Sequence, residues 1–238
     1  MKPENICLAF RFRNEDERSI RRYVENNFKY CDCFVAIDDR SDSCPVRLDN
    51  HPKCAAYVRK NSQTDMFDNL DKEVLYSLAK STNKTHILVL DIDEIMDMSF
   101  EQEIETIPED VDCVRFNYYT MYPDEFHFIT DYPYAFPRRS QCLAKFLDFA
   151  YFDNDVSHRL HCGRIPKYIR DGKHKYGSYV ASSPLYHFSM CSAEKRKARH
   201  DFYMKYDGNG KIQRDGYDHI IKEHSYQEIS PNIIWPAS

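Results

Sequence analysis

Residues 85–97 read THILVLDIDEIMD. The apolar run over 86–90 is typical of a central parallel strand that is covered on both faces. Three carboxylates, Asp91, Asp93 and Glu94, follow this run within four residues. Because open α/β sheets bind their ligands beyond the carboxyl ends of the strands, we expect these acids to lie beside a ligand.

The spacing of the first two acids indicates a metal site. Asp91 and Asp93 alternate along an extended backbone, so both side chains can point the same way. Two carboxylates suit Mg²⁺ or Mn²⁺, and a divalent ion would offset their mutual repulsion. The alternative interpretation is a solvated acidic loop after a buried strand.

Length and composition indicate a soluble α/β protein. The 238 residues suffice for one sizeable domain, or for a domain with a small appendage. The formal net charge of -5 argues against a general nucleic-acid partner, although basic stretches at 167–175 and 195–199 could contact a local anion. The 18 Tyr and 15 Phe suit sugar or nucleobase contacts. We favour the simpler interpretation that they are amphipathic filler.

The cysteines and the apolar runs predict a cytoplasmic location. Nine cysteines occur without the spacing of a disulfide framework or a zinc site, so we interpret them as reduced thiols. We find no signal peptide and no apolar run long enough for a membrane span. The stretch Ile-Ile-Trp-Pro near the end of the sequence leaves open that the chain is one segment of a longer multidomain polypeptide.

The hydrophobic pattern predicts alternating strands and helices, as in a sheet with right-handed crossovers. Predicted strands cover 6–12, 33–37, 55–59, 86–90, 111–119 and 185–188. Predicted helices begin after an Asn14 cap, at Thr64, at Ser99 and, capped by Ser192, extend over a basic stretch to about Tyr206. Between 123 and 184 the pattern loosens, which predicts irregular loops and short strands that form an acceptor pocket or a lid.

Five short motifs now occur in a familiar order. They are FRFRNE (10–15), AIDDRSD (36–42), a helix introduced by Gln63, LVLDIDE (88–94) and LYHFSMCSAEKRKA (185–198). Over residues 5–206 this order resembles the glycosyltransferases of the nucleotide-diphospho-sugar (GT-A) fold, in particular the family 2-like group. Each motif is short and degenerate, and the resemblance depends on their order.

The resemblance implies a Rossmann-like α/β fold with a mixed, mostly parallel sheet flanked by helices. It implies a GT-A domain over 1–206, with a nucleotide-binding half at 1–98, an acceptor-binding half at 99–206 and a C-terminal extension at 207–238. The donor-binding residues would be Phe10, Arg11, Arg13, Glu15, Gln63, Asp91 and Lys195, together with Asp38 or Asp39 at the nucleobase.

The resemblance also assigns the metal site. It suggests that Asp93 binds Mn²⁺ or Mg²⁺ directly and that Asp91 lies near the ribose or reaches the ion through water. His187 would complete the metal or phosphate site, and Glu94 would hold the loop. The alternative for His187 is a satisfied core residue. Lys195, near the start of a helix, could bind phosphate, and the alternative there is a solvated basic face.

An inverting enzyme needs a general base for the acceptor hydroxyl. The candidates after the acidic motif are Asp124, Glu125, Asp131, Asp153 and Asp155. We choose Asp153 and Asp155, which lie about sixty residues beyond the acidic motif in a mixed aromatic loop before His158. We favour inversion, although a retaining enzyme would need no such base.

The resulting expectation is a metal-dependent hexosyltransferase. It would move a hexose or deoxyhexose from a UDP-, GDP- or dTDP-sugar to a glycan or another hydroxyl acceptor. A haloacid-dehalogenase-like phosphatase would instead use Asp91 and Asp93 as nucleophile and acid. A sugar nucleotidyltransferase would need a Gly-rich phosphate loop after the first strand, which is missing from the sequence. A catalytically inactive nucleotide- or glycan-binding module is the non-enzymatic alternative.

Overall fold

The computed structural model describes residues 1–60, 68–131, 133–134, 138–147, 164–166, 177–207 and 216–236. The strands are β1 (Ile6–Phe12), β2 (Cys33–Asp38), β3 (Cys54–Arg59), β4 (His86–Val89), β5 (Glu94–Met96), β6 (Cys113–Thr120), β7 (His127–Ile129), β8 (Arg138–Lys145), β9 (Ser178–His187) and β10 (Tyr226–Glu228). The α-helices are α1 (Glu17–Asn27), α2 (Asp68–Lys80), α3 (Phe100–Thr106) and α4 (Ala193–Asp207).

Eight strands form one mixed sheet in the order β3-β2-β1-β4-β8-β6-β9-β5. The first four are parallel neighbours. The strand β8 runs antiparallel to both β4 and β6, while β6 and β9 are parallel and β9 and β5 are antiparallel. The mixed, mostly parallel α/β fold predicted from the sequence is therefore confirmed.

The central strands are covered on both faces. In β1 and β4, Leu8 and Leu88 belong to one core cluster, and Cys7 and Ile87 belong to a second. All four side chains are at most 1% exposed. Because successive residues of a strand point to opposite faces, a continuous apolar run is what a strand between two cores requires.

The start of α1 differs from the sequence prediction. Asn14 was predicted to cap this helix, but the N-cap is Asp16, whose carboxylate accepts a hydrogen bond of 2.7 Å from the backbone N–H of Ser19. Asn14 instead adopts a left-handed conformation with φ of 51°. Its amide oxygen accepts the N–H of Asp42, which ties the loops after β1 and β2 together.

Residues 123–184, predicted to form irregular loops and short strands, contain β8 and most of β9, two strands of the large sheet. The strand β9 has ten residues and carries Pro184 near its end. The strand β8 begins with Arg-Arg-Ser-Gln. Polar residues conceal β8 from a search for apolar runs. Of β9 only the end was predicted, as the strand over 185–188, because polar residues and Pro184 precede it.

Residues 216–236 pack against the body of the molecule. Ile233 is part of the main core, and β10 pairs with β7. The fully buried Asn26 of α1 accepts the N–H of Ile234 at 2.7 Å and donates to its carbonyl at 2.9 Å. The segment predicted as a C-terminal extension thus contributes to the core.

Two further features concern the described residues as a set. The cysteines among them are free. None of their helices has both the length and the apolar character that crossing a membrane requires.

Candidate functional site

A cavity of about 1180 Å³ opens at the carboxyl ends of β1 and β4. The cationic residues on its wall are Arg11, Arg13, Arg22, Lys72, Arg138, Arg139, Arg164, Lys195 and Arg199. The carboxylates on its wall are Glu15, Asp16, Asp39, Asp91 and Asp93. The described wall therefore carries more positive than negative charge. Three of its five carboxylates follow β1 or β2, and the other two belong to the acidic motif.

The acidic motif forms a tight turn between β4 and β5. The N–H of Glu94 donates to the carbonyl of Asp91 at 2.9 Å, and the Glu94 carboxylate accepts the N–H of Asp91, also at 2.9 Å. The prediction that Asp91 and Asp93 alternate along an extended strand is therefore wrong. The turn, and not strand periodicity, brings the three acids together.

Asp91 faces two cations. One carboxylate oxygen lies 3.4 Å from Lys72 Nζ, and the other lies 3.2 Å from Arg164 Nη2. Burial by itself would raise the pKa of Asp91, but the charges of Lys72 and Arg164 hold that pKa well below its usual range. The carboxylate is therefore ionised, and both of its oxygens are engaged.

Glu94 is the buried anchor of the turn. Its side chain is fully buried, accepts a hydrogen bond of 2.7 Å from the Tyr118 hydroxyl and is ion-paired with Arg164. Burial raises the pKa of Glu94, and the Arg164 charge opposes that rise. Glu94 thus fixes the turn and the cation beside it.

Asp93 and His187 form a carboxylate–imidazole pair. Asp93 Oδ2 lies 3.4 Å from His187 Nε2, and the Asp93 carbonyl accepts the N–H of Phe188 at 2.8 Å. The other ring nitrogen, Nδ1, lies 3.2 Å from Ser189 Oγ. Burial works against ionisation of Asp93, but the neighbouring His187 lowers the pKa of the carboxyl group. These contacts therefore join the end of β9 to the acidic turn.

This pair offers two protein ligands to a divalent ion. The described residues contain no group of three or more His, Cys, Asp and Glu side chains arranged to hold a metal. Asp91, the predicted further ligand, is engaged by Lys72 and Arg164. Since Mg²⁺ is usually held by one or two protein carboxylates with substrate phosphates and water, Asp93 and His187 fit an ion completed by a diphosphate.

The end of β1 and the loop after it place three of the predicted donor-binding residues on the cavity wall. They are Arg11, Arg13 and Glu15. Arg11 Nη1 is 2.9 Å from Asp71 Oδ2. Burial, together with the negative charge of Asp93, raises the pKa of Glu15 to about 7.

Phe10, also predicted to line the nucleotide pocket, lies in the core. Its side chain is fully buried, and its ring centroid is 4.8 Å from that of Tyr23 and 5.5 Å from that of Phe34. In β1, Phe10 and Phe12 share a face with Leu8, and this face points into the first core cluster. The structure therefore removes Phe10 from the set of cavity residues.

The two acids after β2 have different environments. Asp38 is fully buried, accepts the N–H of Ser41 at 2.8 Å and the Tyr57 hydroxyl at 3.2 Å, and is not among the described residues that line the cavity. Asp39 lines the cavity and is paired with Arg40 at 2.9 Å. Burial opposes ionisation of Asp39, but hydrogen bonding to Arg40 lowers its pKa. Of the two, Asp39 is the candidate for a ligand contact.

Helix α4 brings the predicted Lys195 to the cavity. Its Nζ lies 3.4 Å from both Asp16 Oδ2 and Ser19 Oγ, which joins α4 to the start of α1. Arg199, one turn later, also lines the cavity. Burial by itself would lower the pKa of Arg199, but Tyr203 and Asp93 raise it.

Several cavity residues were not singled out from the sequence. Arg199 and Tyr203 follow Lys195 at intervals of four, and this helical spacing is a signal that sequence reasoning missed. Lys72, Tyr118 and Arg164 reach the site through tertiary contacts and carry no local pattern.

Some predicted site residues fall elsewhere. Gln63, Asp153 and Asp155 lie outside the residues that the structure describes. Asp124, Glu125 and Asp131, the other general-base candidates, are not among the described cavity residues. Asp124 contacts His127 at 2.8 Å, and Asp131 contacts His224 at 2.7 Å.

Comparison with known proteins gives similarity only among solved structures. No protein-family model matches the chain. No curated protein matches it either. The solved structure of S. aureus TarS 1-349 is 12% identical with a TM-score of 0.48, covering 93% of this chain and 69% of that one. The same protein in complex with UDP is 12% identical with a TM-score of 0.42, covering 93% of this chain and 70% of that one.

A protein from Desulfovibrio desulfuricans G20, described provisionally as a nucleotide-diphospho-sugar transferase, is also similar. It is 9% identical with a TM-score of 0.41, covering 92% of this chain and 97% of that one. The likeness concerns the arrangement of helices and strands.

Proposed function

We propose that this protein is a glycosyltransferase that uses a nucleotide-diphospho-sugar donor. The observation that carries the proposal is the Asp93–His187 pair set in a cationic cavity at the carboxyl ends of β1 and β4. A diphosphate brings several negative charges, and the cations on the wall complement them. The carboxylate and imidazole suit a divalent ion shared with that diphosphate.

The end of β1 and the loops after β1 and β2 would bind the nucleoside. Arg11, Arg13 and Asp39 line this side of the cavity. Asp39 is ionised and can accept a hydrogen bond from a base, as the motif order suggested. The donor would carry UDP, GDP or dTDP, and its sugar would be a hexose or deoxyhexose.

Asp93 and His187 would hold Mn²⁺ or Mg²⁺. When bound, such an ion supplies Lewis-acid stabilisation to the departing diphosphate. Lys195 and Arg199, on one face of α4, would bind the same phosphates directly. Asp91 would position Lys72 and Arg164 and lie near the ribose.

The acceptor would supply a hydroxyl group from a glycan or a similar molecule. We propose inversion at the sugar carbon, with Asp153 or Asp155 as the base that takes the hydroxyl proton. The general-base proposal depends on their sequence position alone.

A thermal-shift panel tests the proposal. Wild-type protein is melted with UDP, GDP, dTDP or CDP, each with and without Mn²⁺. A ligand that binds only the native state raises the melting temperature, so one nucleotide is expected to give a shift that requires the metal. Asp93→Asn should lose the metal-dependent part of that shift. Asp49→Asn, an exposed carboxylate paired with Arg47, is the matched control and should keep it.

A panel without any nucleotide shift would contradict the proposal. A shift that Asp93→Asn leaves intact would remove the metal role from Asp93 and keep the nucleotide site. Slow hydrolysis of the matching sugar nucleotide with Mn²⁺ would separate an enzyme from a binding module, because a module would give none.

The phosphatase alternative is disfavoured by the surroundings of Asp91. A nucleophilic aspartate needs a free oxygen aimed at phosphorus, whereas both Asp91 oxygens contact cations. We expect no turnover of p-nitrophenyl phosphate with Mg²⁺. Turnover that is lost in Asp91→Asn would favour the phosphatase.

A further inference from the structure

Two cysteines of the large sheet face each other across neighbouring strands. Cys7 in β1 and Cys33 at the start of β2 are partners in the parallel register, and both thiols are free. Neighbouring strands lie about 4.8 Å apart, and register partners of a parallel pair point to the same face of the sheet. Cys7 accordingly belongs to the second core cluster, and Cys33 packs against that cluster. Because a disulfide joins Cα atoms about 4.4–6.8 Å apart, the register brings this pair within bonding range.

The two cysteines differ in their access to solvent. Cys7 is fully buried, whereas Cys33 is partly exposed. A small reagent in solution can therefore reach Cys33 in the native protein, while Cys7 is covered. Of the pair, Cys33 is the residue that can react first.

The surroundings of Cys33 favour its thiolate. Lys84 Nζ lies 2.5 Å from Asp32 Oδ2, and Asp32 directly precedes Cys33, so an ammonium group is held beside the start of β2. A hydrogen bond with the Cys7 thiol lowers the pKa of Cys33, and Thr82 and Lys84 lower it further against the effect of burial. The same hydrogen bond, together with burial, raises the pKa of Cys7. One thiolate therefore faces one thiol, as in a reactive cysteine pair.

Cys54 offers an internal reference for this pair. It is partly exposed like Cys33 and also begins a strand, β3, but its register partner is the apolar Phe34. Burial raises the pKa of Cys54. At neutral pH we therefore expect Cys54 to be mostly the unreactive thiol.

The cysteine pair lies at the opposite end of the sheet from the cavity. Both residues are at or near the start of their strands, whereas the cavity opens at the carboxyl ends. Arg11, which lines the cavity, follows Cys7 by four residues of β1, about 13 Å along a strand. The pair is therefore separate from the proposed donor site, and an inference about it does not depend on the proposed function.

We propose that Cys33 and Cys7 form an oxidation site for hydrogen peroxide and organic hydroperoxides, at which Cys33 reacts first and Cys7 then closes a disulfide. The Cys33 thiolate attacks one peroxide oxygen, so that an S–O bond forms and the O–O bond breaks. The sulfur loses two electrons and becomes a sulfenic acid. The peroxide is reduced, and the hydroxide that leaves takes up the proton that Cys33 had released.

The second step consumes the sulfenic acid. The Cys7 sulfur attacks the Cys33 sulfur, so that the S–S bond forms and the S–O bond breaks. The departing hydroxide takes the Cys7 proton and leaves as water. In total, two thiols and one hydrogen peroxide give one disulfide and two waters, and a dithiol reductant reverses the change.

Mass spectrometry of the oxidised full chain tests the proposal. Native protein is treated with a small molar excess of hydrogen peroxide, its remaining thiols are blocked, and it is digested without reduction. We expect a linked pair of peptides that carry Cys7 and Cys33, two hydrogens lighter than their sum and separated by dithiothreitol. In Cys7→Ala the oxidation of Cys33 should stop at the sulfenic acid, which dimedone traps.

The reactivity of Cys33 is measured separately by alkylation. In native wild-type protein at about pH 7, iodoacetamide should modify Cys33 several-fold faster than Cys54, and the rate at Cys33 should level off at lower pH. Lys84→Gln should slow the reaction of Cys33, because it removes a charge that favours the thiolate. Lys2→Gln, at an exposed lysine paired with Glu4, is the matched control and should keep the wild-type rate.

Two results in wild type would overturn the proposal without reference to any variant. One is the absence of a Cys7–Cys33 disulfide after peroxide treatment, and the other is alkylation of Cys33 no faster than that of Cys54. A disulfide of Cys33 with Cys31, which belongs to the other core cluster, would also overturn it, because Cys7 would then not be the partner. Melting temperatures show whether each variant is folded before its reactivity is compared.

Discussion

Arg164 contacts two carboxylates of the acidic motif, and no sequence pattern indicates these contacts. Its guanidinium contacts Asp91, Glu94 and the Tyr118 hydroxyl, and it donates to Ser140 Oγ at 2.7 Å. Arg164 belongs to the described segment 164–166. One side chain thus connects that segment to the turn beside the proposed metal site.

Removing this cation should destabilise the fold. Arg164→Met leaves the fully buried Glu94 without its counter-charge, and we expect the free energy of unfolding to fall by about 3 kcal/mol. Urea denaturation measures the change. The double variant Arg164→Met with Glu94→Gln should recover part of the loss, because a neutral amide costs less to bury. A double variant that is no more stable than the single one would contradict this account.

The sequence shows which residues form the acidic motif, but it does not predict which side chains each of them contacts. Asp91 and Asp93 are chemically identical and two residues apart, yet one faces two cations and the other faces an imidazole. The cations come from 19 and 73 residues away along the chain. Such pairings depend on tertiary packing, and no local spacing encodes them.

At the scale of elements, Asp16 caps α1 and contacts α4. Asp16→Ala should lower the free energy of unfolding by about 1 kcal/mol at pH 7, the usual cost of a lost N-cap. Burial by itself would raise the pKa of Asp16, but hydrogen bonds from Ser19 and the charge of Lys195 lower it. A depressed folded-state pKa stabilises the protein above the unfolded-state pKa, and this contribution is lost as the pH falls through the folded-state value.

The difference between wild type and Asp16→Ala should therefore shrink below about pH 4. Thermal melts between pH 3 and pH 8 measure it. Asp16→Asn keeps a capping oxygen without the charge, so it should be closer to wild type and lack this pH dependence. A constant difference across the pH range would show that the carboxylate charge does not stabilise the cap.

Asn26 should control how firmly the C-terminal segment is held. Asn26→Ala removes both hydrogen bonds between the buried Asn26 side chain and the backbone of Ile234, at a net cost of about 1 kcal/mol for each bond. We expect faster proteolysis near the C-terminus. Asn50→Ala, at an exposed position, is the control. Equal cleavage rates in the two variants would mean that other contacts hold the segment.

The strands that were predicted and those that were missed differ in what they face. Residues 6–10 of β1, 34–37 of β2 and 87–89 of β4 are buried on both faces of the sheet, so these runs are continuously apolar. In β8, Arg138, Arg139 and Ser140 line the cavity. A strand that supplies polar groups to a site loses the alternation by which strands are recognised.

At the scale of the molecule, the charge is unevenly placed. The formal net charge is -5, while the described cavity wall carries nine Arg and Lys against five Asp and Glu. Binding of inorganic pyrophosphate, measured by calorimetry, should weaken several-fold when NaCl rises from about 50 to about 500 mM, because salt screens exposed charges. An affinity independent of salt would indicate that the wall cations are neutralised by their own partners.

The whole-molecule architecture was only partly predictable. The parallel half of the sheet follows from alternating strands and helices, and the sequence indicates it well. The antiparallel insertion of β8 and the packing of residues 216–236 depend on contacts between distant segments. Tyr217 and His219 reach the cavity by that packing, so sequence position alone assigns them to an appendage.

The common face of α4 constrains how this chain can change over time. Lys195, Arg199 and Tyr203 reach one cavity because four residues make about one turn. A one-residue insertion or deletion between them would rotate every later side chain by about 100° about the helix axis, and Tyr203 would leave the cavity. Substitutions at these positions can retune the cavity gradually. We therefore expect this helix to diverge by substitution, and insertions and deletions to accumulate in the loops on either side of it.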